Sequence, residues 1–343
     1  MTGRKASPRE TLRVGLDTSP LEQTRAGTAR HVAHLLQLSG AEGVEIVPVR
    51  FPGRRRAATV CRDAVWYPLL LPRQVDRLGV HLLHCPTFRG PLFSPSVPMV
   101  VTVHDLAVLR HPETFNLWTR RYSRSCVPRV ARAARLVIAV SEFTKREVVE
   151  LLGLPGDRVR VVPNGVGEPF FPHGPAEPGE YVLAVGTLEP RKNLERLAAA
   201  TRELGLELRV VGGRGWGRVA IDGPGVSLLG EVPDARLAAL YRGALCLAYP
   251  SLYEGFGLPV LEAMACGTPV VTSAGGATEE VAGGAAVLVD PLDPASIASG
   301  IEEAIARSQE LRRRGLERVQ RFRWDEVRAR TVEVYWEAIA CHS

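Results

Sequence analysis

Short runs of β-branched and aliphatic residues alternate with helical spacing along the whole chain. Leu12–Leu16 reads as a strand, and Thr28–Leu38 as a helix with Val32, Leu35, Leu36 and Leu38 on one face. Val44–Val49, Val80–His84, Met99–Val103 and Arg135–Val140 predict further strands. The alternation then stops. Residues 163–180 hold five prolines and four glycines in eighteen positions, a composition that can continue neither a helix nor a central strand. Beyond it the pattern restarts, with strands predicted at Tyr181–Val185, Glu207–Val211, Leu245–Tyr249, Pro269–Thr272 and Ala285–Val289. Helices are predicted at Asn193–Glu203, Leu237–Ala244, Leu261–Ala265 and Pro294–Arg307, and the charged tail Gln309–Ile339 has the pattern of one or two amphipathic helices. Strands separated by helices imply crossover connections and parallel sheets. The expected architecture is therefore α/β, with Rossmann-like lobes at 1–163 and 181–325 joined by a hinge at 164–180. The last stretch, 326–343, is expected to pack back towards the first lobe. In open parallel sheets ligands bind beyond the carboxyl ends of strands, so the sites should face the cleft between the lobes.

Composition narrows the class. The 343 residues are 45% hydrophobic and 23% charged, which excludes disorder, collagen and a pure coiled coil. No run approaches the roughly 18 apolar residues of a membrane span. Met1–Arg9 is polar and basic, without the apolar core of a secretory signal. The six cysteines, at 61, 85, 126, 246, 266 and 341, form no CxxC pair and read as reduced thiols, so a cytoplasmic location is expected.

Charge divides the chain. Residues 1–172 carry 25 basic and 14 acidic side chains, a net of +11, whereas 173–343 carry 18 and 23, a net of −5. Forty of the 43 cations are arginine; the lysines are Lys5, Lys145 and Lys192. A GC-rich genome produces such a ratio wherever only positive charge is required. No nucleic-acid-binding module accompanies it, so nucleic acid is not an expected partner. The basic first half suits an anionic acceptor or a peripheral contact with the inner face of a membrane, with Arg50–Arg56 and Phe115–Tyr122 as local clusters. Attraction to the acidic second half explains the same asymmetry.

Several chemistries fail on their motifs. No P-loop, GxSxG elbow, HExxH pair or Asp-x-Asp pair occurs. Gly213-Arg214-Gly215-Trp216-Gly217 is spaced GxGxG, and the residues after it do not open a helix, so a dinucleotide loop fails too.

Three strand ends carry chemistry instead. In the stretch 250–269 a strand ends near Pro250, a glycine-punctuated loop carries Glu254, and Pro259 opens a helix that Gly267 stops. Such a loop brings backbone N–H groups and a helix N-terminus to one point, which suits a diphosphate. Glu254 and Glu262 then flank that point, although an early-turn glutamate such as Glu262 also simply complements the helix dipole. In Gly186-Thr187-Leu188-Glu189-Pro190-Arg191-Lys192-Asn193, two adjacent cations sit between a strand and a helix. They are placed to neutralise phosphate, or are a solvated pair; a lysine in an arginine-rich chain favours the first. His104, after the strand Met99–Val103, reaches the same cleft from the other lobe in either a functional or a structural role.

These stretches, with His104-Asp105 and Asn164-Gly165-Val166, resemble retaining glycosyltransferases of sequence family 4, which have the GT-B fold of two facing Rossmann-like lobes. The likeness runs from about Leu12 to Trp336 and is denser in the second half. It implies a donor site for a UDP- or GDP-linked sugar in the second lobe, no metal or other cofactor, and an acceptor site in the first. By resemblance Glu262 binds ribose hydroxyls, Glu254 a donor-sugar hydroxyl, and Arg191 and Lys192 the diphosphate. The amides of Phe256, Gly257 and Leu258 contact sugar and phosphate, and His104 lies near the reacting centre. Gly27 matches the family's glycine loop loosely, and Thr187 stands where many relatives have a second glycine. The implied activity is metal-independent hexosyl or pentosyl transfer with retention, from the nucleotide-sugar donor to a small-molecule, oligosaccharide or lipid-linked acceptor. Cell-surface glycan synthesis and an antibiotic pathway of the orthosomycin type both suit the compact arginine-rich chain, and a monomer is expected. The opposing reading is an inactive nucleotide-sugar or carbohydrate-binding protein on the same fold, against which the intact charged residues argue.

Overall fold

Apolar runs buried on both faces give parallel strands, and the computed structural model arranges them in two sheets. It describes residues 11–22, 27–40, 43–51, 60–115, 117–215, 217, 219–221 and 223–340. The first sheet is formed by β1 (Leu12–Asp17), β2 (Val44–Val49), β3 (Leu82–Cys85), β4 (Met99–Val103), β5 (Leu136–Ala139) and β6 (Val159–Val161), in the order β2-β1-β3-β4-β5-β6. The second is formed by β7 (Tyr181–Val185), β8 (Glu207–Val211), β9 (Val226–Gly230), β10 (Cys246–Tyr249), β11 (Val270–Ser273) and β12 (Val287–Val289), in the order β12-β11-β10-β7-β8-β9. All pairings are parallel, as in Leu12↔Val44 of β1 with β2 and Tyr181↔Glu207 of β7 with β8. The α/β class with two Rossmann-like lobes is thereby established.

The larger helices are α1 (Gly27–Leu36), α2 (Leu71–Leu78), α3 (Leu117–Ala133), α4 (Glu142–Leu152), α5 (Leu194–Glu203), α6 (Asp234–Gly243), α7 (Leu258–Ala265), α8 (Gly276–Ala282), α9 (Pro294–Ala306), α10 (Ser308–Val319) and α11 (Trp324–Ala340). Their ends follow ordinary capping chemistry. Ser141 accepts the Thr144 N–H ahead of α4, and Asp293 accepts the Ala295 N–H ahead of α9, with Pro294 next to it.

Two edge strands, β6 and β9, escape the hydrophobic pattern. Each has partly exposed positions rather than an unbroken apolar run, so its signal is weak. The tail forms two helices, α10 and α11. The second returns to the first lobe, where Val327, Val334, Tyr335 and Ala338 join a core with Leu12, Val14, Leu82 and Val100.

Each sheet reverses its strand order once near the cleft, between β1 and β3 and between β7 and β10. Such a point opens a crevice at the strands' carboxyl ends. The loops after β7 and β10 carry Arg191, Lys192 and Glu254, and the residue after β4 is His104. Arg54, Arg55 and Arg56 of the expected basic loop lie outside the described residues.

Candidate active site

The loop after β7 is pinned to the loop after β10 by Asn193. Its backbone takes the left-handed conformation (φ 59°), which asparagine tolerates, and its buried amide donates to the carbonyls of Pro250 (3.0 Å) and Pro291 (2.6 Å). This brings two cations onto one carboxylate. Arg191 Nη1 lies 2.8 Å from Glu254 Oε2, and Lys192 Nζ 2.5 Å from Glu254 Oε1. Tyr249 Oη donates to Glu254 Oε1 at 2.8 Å, and Arg191 Nε reaches Glu189 at 2.9 Å.

Burial alone would push the Glu254 carboxyl up, but the charges of Lys192 and Arg191 overcome it and hold the group at about 2. Glu254 is therefore ionised at neutral pH. Burial moves Lys192 the other way, down from the ordinary lysine value, against the attraction of Glu254. The two cations are not the solvated pair that adjacency alone allows; they form a buried network with two carboxylates. Lys192 Nζ has three protons and donates to two groups, Tyr249 and Glu254, so it keeps a donor for a further acceptor.

The Glu254 loop is clamped between the lobes. The Gly255 carbonyl accepts from Ser141 Oγ (2.7 Å) and Thr144 Oγ1 (2.9 Å) of the first lobe. A Cβ at position 255 would lie 1.8 Å from the His104 carbonyl oxygen, so only glycine allows this approach. Tyr253 Oη accepts the Leu106 N–H and donates to Glu147. Glu280 of the second lobe takes the N–H groups of Glu142 (2.8 Å) and Phe143 (2.9 Å) at the start of α4.

Gly257 ends the loop at φ 106° and precedes α7, whose first turn contains Pro259 and receives no side-chain cap. The Val260 and Leu261 N–H groups turn back to the Gly257 carbonyl and Pro259 has none, so the helix start offers an anion the Leu258 N–H and the dipole. The Phe256 ring is buried in the core against Phe322. Gly27, at the start of α1, packs against Leu258, where a Cβ would meet the Leu258 side chain at 2.5 Å. The starts of α1 and α7 therefore meet across the cleft.

Glu262 lies one turn into α7 and is buried. It accepts from Tyr241 Oη at 3.1 Å and forms an ion pair with Arg30 from the first lobe. Burial raises its carboxyl above the ordinary value, opposed by Arg30 and Tyr241.

His104 donates through Nε2–H to the Pro86 carbonyl at 3.1 Å, and burial lowers its basicity. It is thus a neutral imidazole whose Nδ1 is the acceptor. His31 of α1 packs edge-on against it at 5.0 Å and shares a 3.0 Å hydrogen bond with Asn164 of the hinge. Asp105 and Arg89 line two adjoining cavities on the first-lobe side, of about 310 and 350 Å³. Thr28, Tyr67 and His104 face the first cavity, and Phe115, Thr119 and Arg191 the second.

Direct contacts in the structure thus join Arg191 and Lys192 to Glu254, His104 to Gly255, and Gly27 to Leu258. Sequence reasoning missed Arg30, Tyr241, Tyr249, Glu189 and Asn193. Glu189 and Asn193 flank the cation pair and Tyr249 ends β10, so position could have suggested them. Nothing in the neighbourhood of Arg30 signals a partner 232 residues away.

Comparison with known proteins shows likenesses to glycosyltransferases. Residues 179–307 match the model for glycosyl transferases group 1, and residues 22–167 that for glycosyltransferase family 4. The chain is 33% identical to O-antigen chain mannosyltransferase B of Escherichia coli, covering 69% of each chain. It is 30% identical to the D-inositol 3-phosphate glycosyltransferase of Acidothermus cellulolyticus, over 98% of this chain and 92% of that one. Among solved structures, Anabaena HepE in complex with UDP and glucose superposes with a TM-score of 0.70 at 18% identity, over 95% of this chain and 100% of that one.

Proposed function

Since the chain belongs to the family 4 glycosyltransferases of group 1, we propose that it moves a sugar from a UDP- or GDP-linked donor to an acceptor hydroxyl, with retention at the anomeric carbon. The observation that carries this reading is the convergence of Glu254, Arg191 and Lys192 with the N-terminus of α7 at the switch point of the second sheet.

The costly event in such a transfer is departure of the nucleoside diphosphate. Lys192, Arg191 and the α7 dipole supply fixed positive potential where that charge develops, and they do so without reorganising. We assign no metal to this step. Glu254 has two tasks: it anchors both cations and offers a charged acceptor to a donor-sugar hydroxyl. His104, neutral and with its Nε2 proton committed to Pro86, offers Nδ1 as an acceptor beside the same sugar. Glu262 takes the ribose hydroxyls. The acceptor enters the cavities bounded by Arg89 and Asp105, so its hydroxyl approaches from the side of the departing phosphate, as retention requires. The relatives' names point to a glycan acceptor in cell-surface synthesis.

Incubation with a panel of UDP- and GDP-sugars and oligosaccharide acceptors, in EDTA, tests the reading. Nucleoside diphosphate should be released, and proton NMR of the product should show the donor's anomeric configuration. Inversion, or a requirement for added magnesium, would overturn the mechanism. Tight donor binding with no transfer or hydrolysis would favour the inactive binding protein.

A further inference from the structure

Helix α1 belongs to the acceptor lobe and contacts the donor half, the acceptor cavity and the hinge in turn. Gly27 abuts Leu258, Thr28 faces the acceptor cavity, and His31 packs on His104 and bonds Asn164 of the hinge. Between them Arg30 crosses the cleft. One of its terminal nitrogens pairs with Glu262, the other lies 2.5 Å from Asp234 Oδ1, and its guanidinium stands over the Phe170 ring at 5.4 Å.

The groups facing Glu262 are Arg30 from α1, Asp234 and Tyr241 from α6, and Cys266 at the end of its own helix. Arg30 is the one cation among them. Without it, a buried carboxylate would stand near a second carboxylate, with a tyrosine hydroxyl as its remaining donor. A buried carboxyl in that setting takes up a proton and becomes a poorer acceptor.

We propose that Arg30 is a positioning residue for the donor: it closes the two lobes onto Glu262 and keeps that carboxylate ionised and aimed at the ribose. The proposal rests on the reading of Glu262 as the ribose acceptor. It explains why one arginine spans both Glu262 and Asp234, where neutralising a single carboxylate would need only one contact. It also makes α1 the strut that ties donor occupancy to His104 and the hinge. The saturated donor complex restores closure by mass action, so the loss of Arg30 falls on donor KM and leaves kcat nearly unchanged.

Calorimetric titration of UDP and of GDP into wild type, Arg30→Gln, Arg30→Lys and Glu262→Gln tests this, paired with steady-state kinetics. Arg30→Gln should weaken the preferred nucleotide about tenfold, and the deficit should shrink as pH rises and Glu262 ionises unaided. Donor KM should rise by about the same factor with kcat within about threefold of wild type. Arg30→Lys, which keeps the charge and guards against a folding defect, should recover most of the affinity and lose the pH dependence. Wild-type affinity in Arg30→Gln beside a weakened Glu262→Gln would overturn the role of Arg30 alone. Unchanged affinity in Glu262→Gln would remove the ribose assignment itself, and the proposal with it.

Discussion

At the residue scale the site depends on one carboxylate and one missing side chain. Glu254 holds one buried and one partly buried cation, so removing it leaves both uncompensated. Breaking a buried pair of this kind costs about 3 to 5 kcal/mol. Glu254→Gln keeps the shape and a hydrogen-bonding oxygen but not the charge. Turnover should fall at least about a hundredfold, since one fixed electrostatic contact is worth roughly 3 kcal/mol in a transition state. Affinity for the free nucleoside diphosphate should not fall, because Arg191 and Lys192, released from Glu254, still face the diphosphate with their full charge. Equal losses in both measurements would place Glu254 on the nucleotide. Gly255 makes the complementary case. A methyl group there meets the His104 carbonyl, so Gly255→Ala must separate the lobes locally. We expect at least about a tenfold loss of kcat/KM, the scale of a small misplacement at a reacting centre, with a melting temperature lowered by only a few degrees. Full activity in that variant would show that the clamp between the lobes is dispensable.

Elements differ in how legible they are. The central strands announce themselves because both faces are buried and nearly every position is apolar; the edge strands β6 and β9 do not, because most of their positions meet solvent. The cation pair and Glu254 were visible as motifs, since each lies within a few residues of a strand end. The partners of Glu262 were not, because Arg30 comes from another lobe and no local pattern encodes a contact at that separation. The glycine at 255 reads as an ordinary loop residue; only the approach of His104 from the first lobe explains it.

Helix α3 shows what composition adds. It carries Arg120, Arg121, Arg124, Arg129 and Arg132 and no acidic residue, and none of these pairs with a carboxylate among the described residues. Leu117 and Trp118 are exposed at its start. This mixture suits an anionic lipid surface, where each basic residue contributes about 1 kcal/mol. Wild type should co-sediment with phosphatidylglycerol vesicles and not with neutral ones, and Arg120, Arg121, Arg124→Ser should reduce that binding several-fold. Equal, negligible binding to both vesicles would leave a freely diffusing acceptor as the reading. No helix among the described residues is long and apolar enough to cross a membrane.

For the whole molecule, three histidines join the parts, two buried and His104 partly buried. His84 links β3 to α11 through Tyr335 (2.7 Å) and Thr102 (2.8 Å), His31 links α1 to the hinge, and His104 lies in the cleft. Burial lowers the basicity of all three, that of His84 to about 3. The unfolded chain therefore binds more protons below pH 6.5. The stability these groups contribute is fully present above that value and is lost as pH falls towards the folded values, by up to about 1.4 kcal/mol per histidine per pH unit. Urea midpoints should decline between about pH 6.5 and pH 4, and less steeply in His84→Asn. A flat profile would mean that the histidines are solvated.

The central proposal is that a diphosphate is held by Arg191, Lys192 and the start of α7 without a metal. The most direct test compares binding of nucleoside monophosphate and diphosphate in EDTA, for the preferred base, in wild type and in Arg191→Met with Lys192→Met. Wild type should prefer the diphosphate by at least about tenfold, the worth of one charge-assisted contact, and the double variant should keep only the small remainder that the start of α7 supplies. An undiminished preference in the double variant, or one that appears in wild type only with magnesium, would contradict this reading.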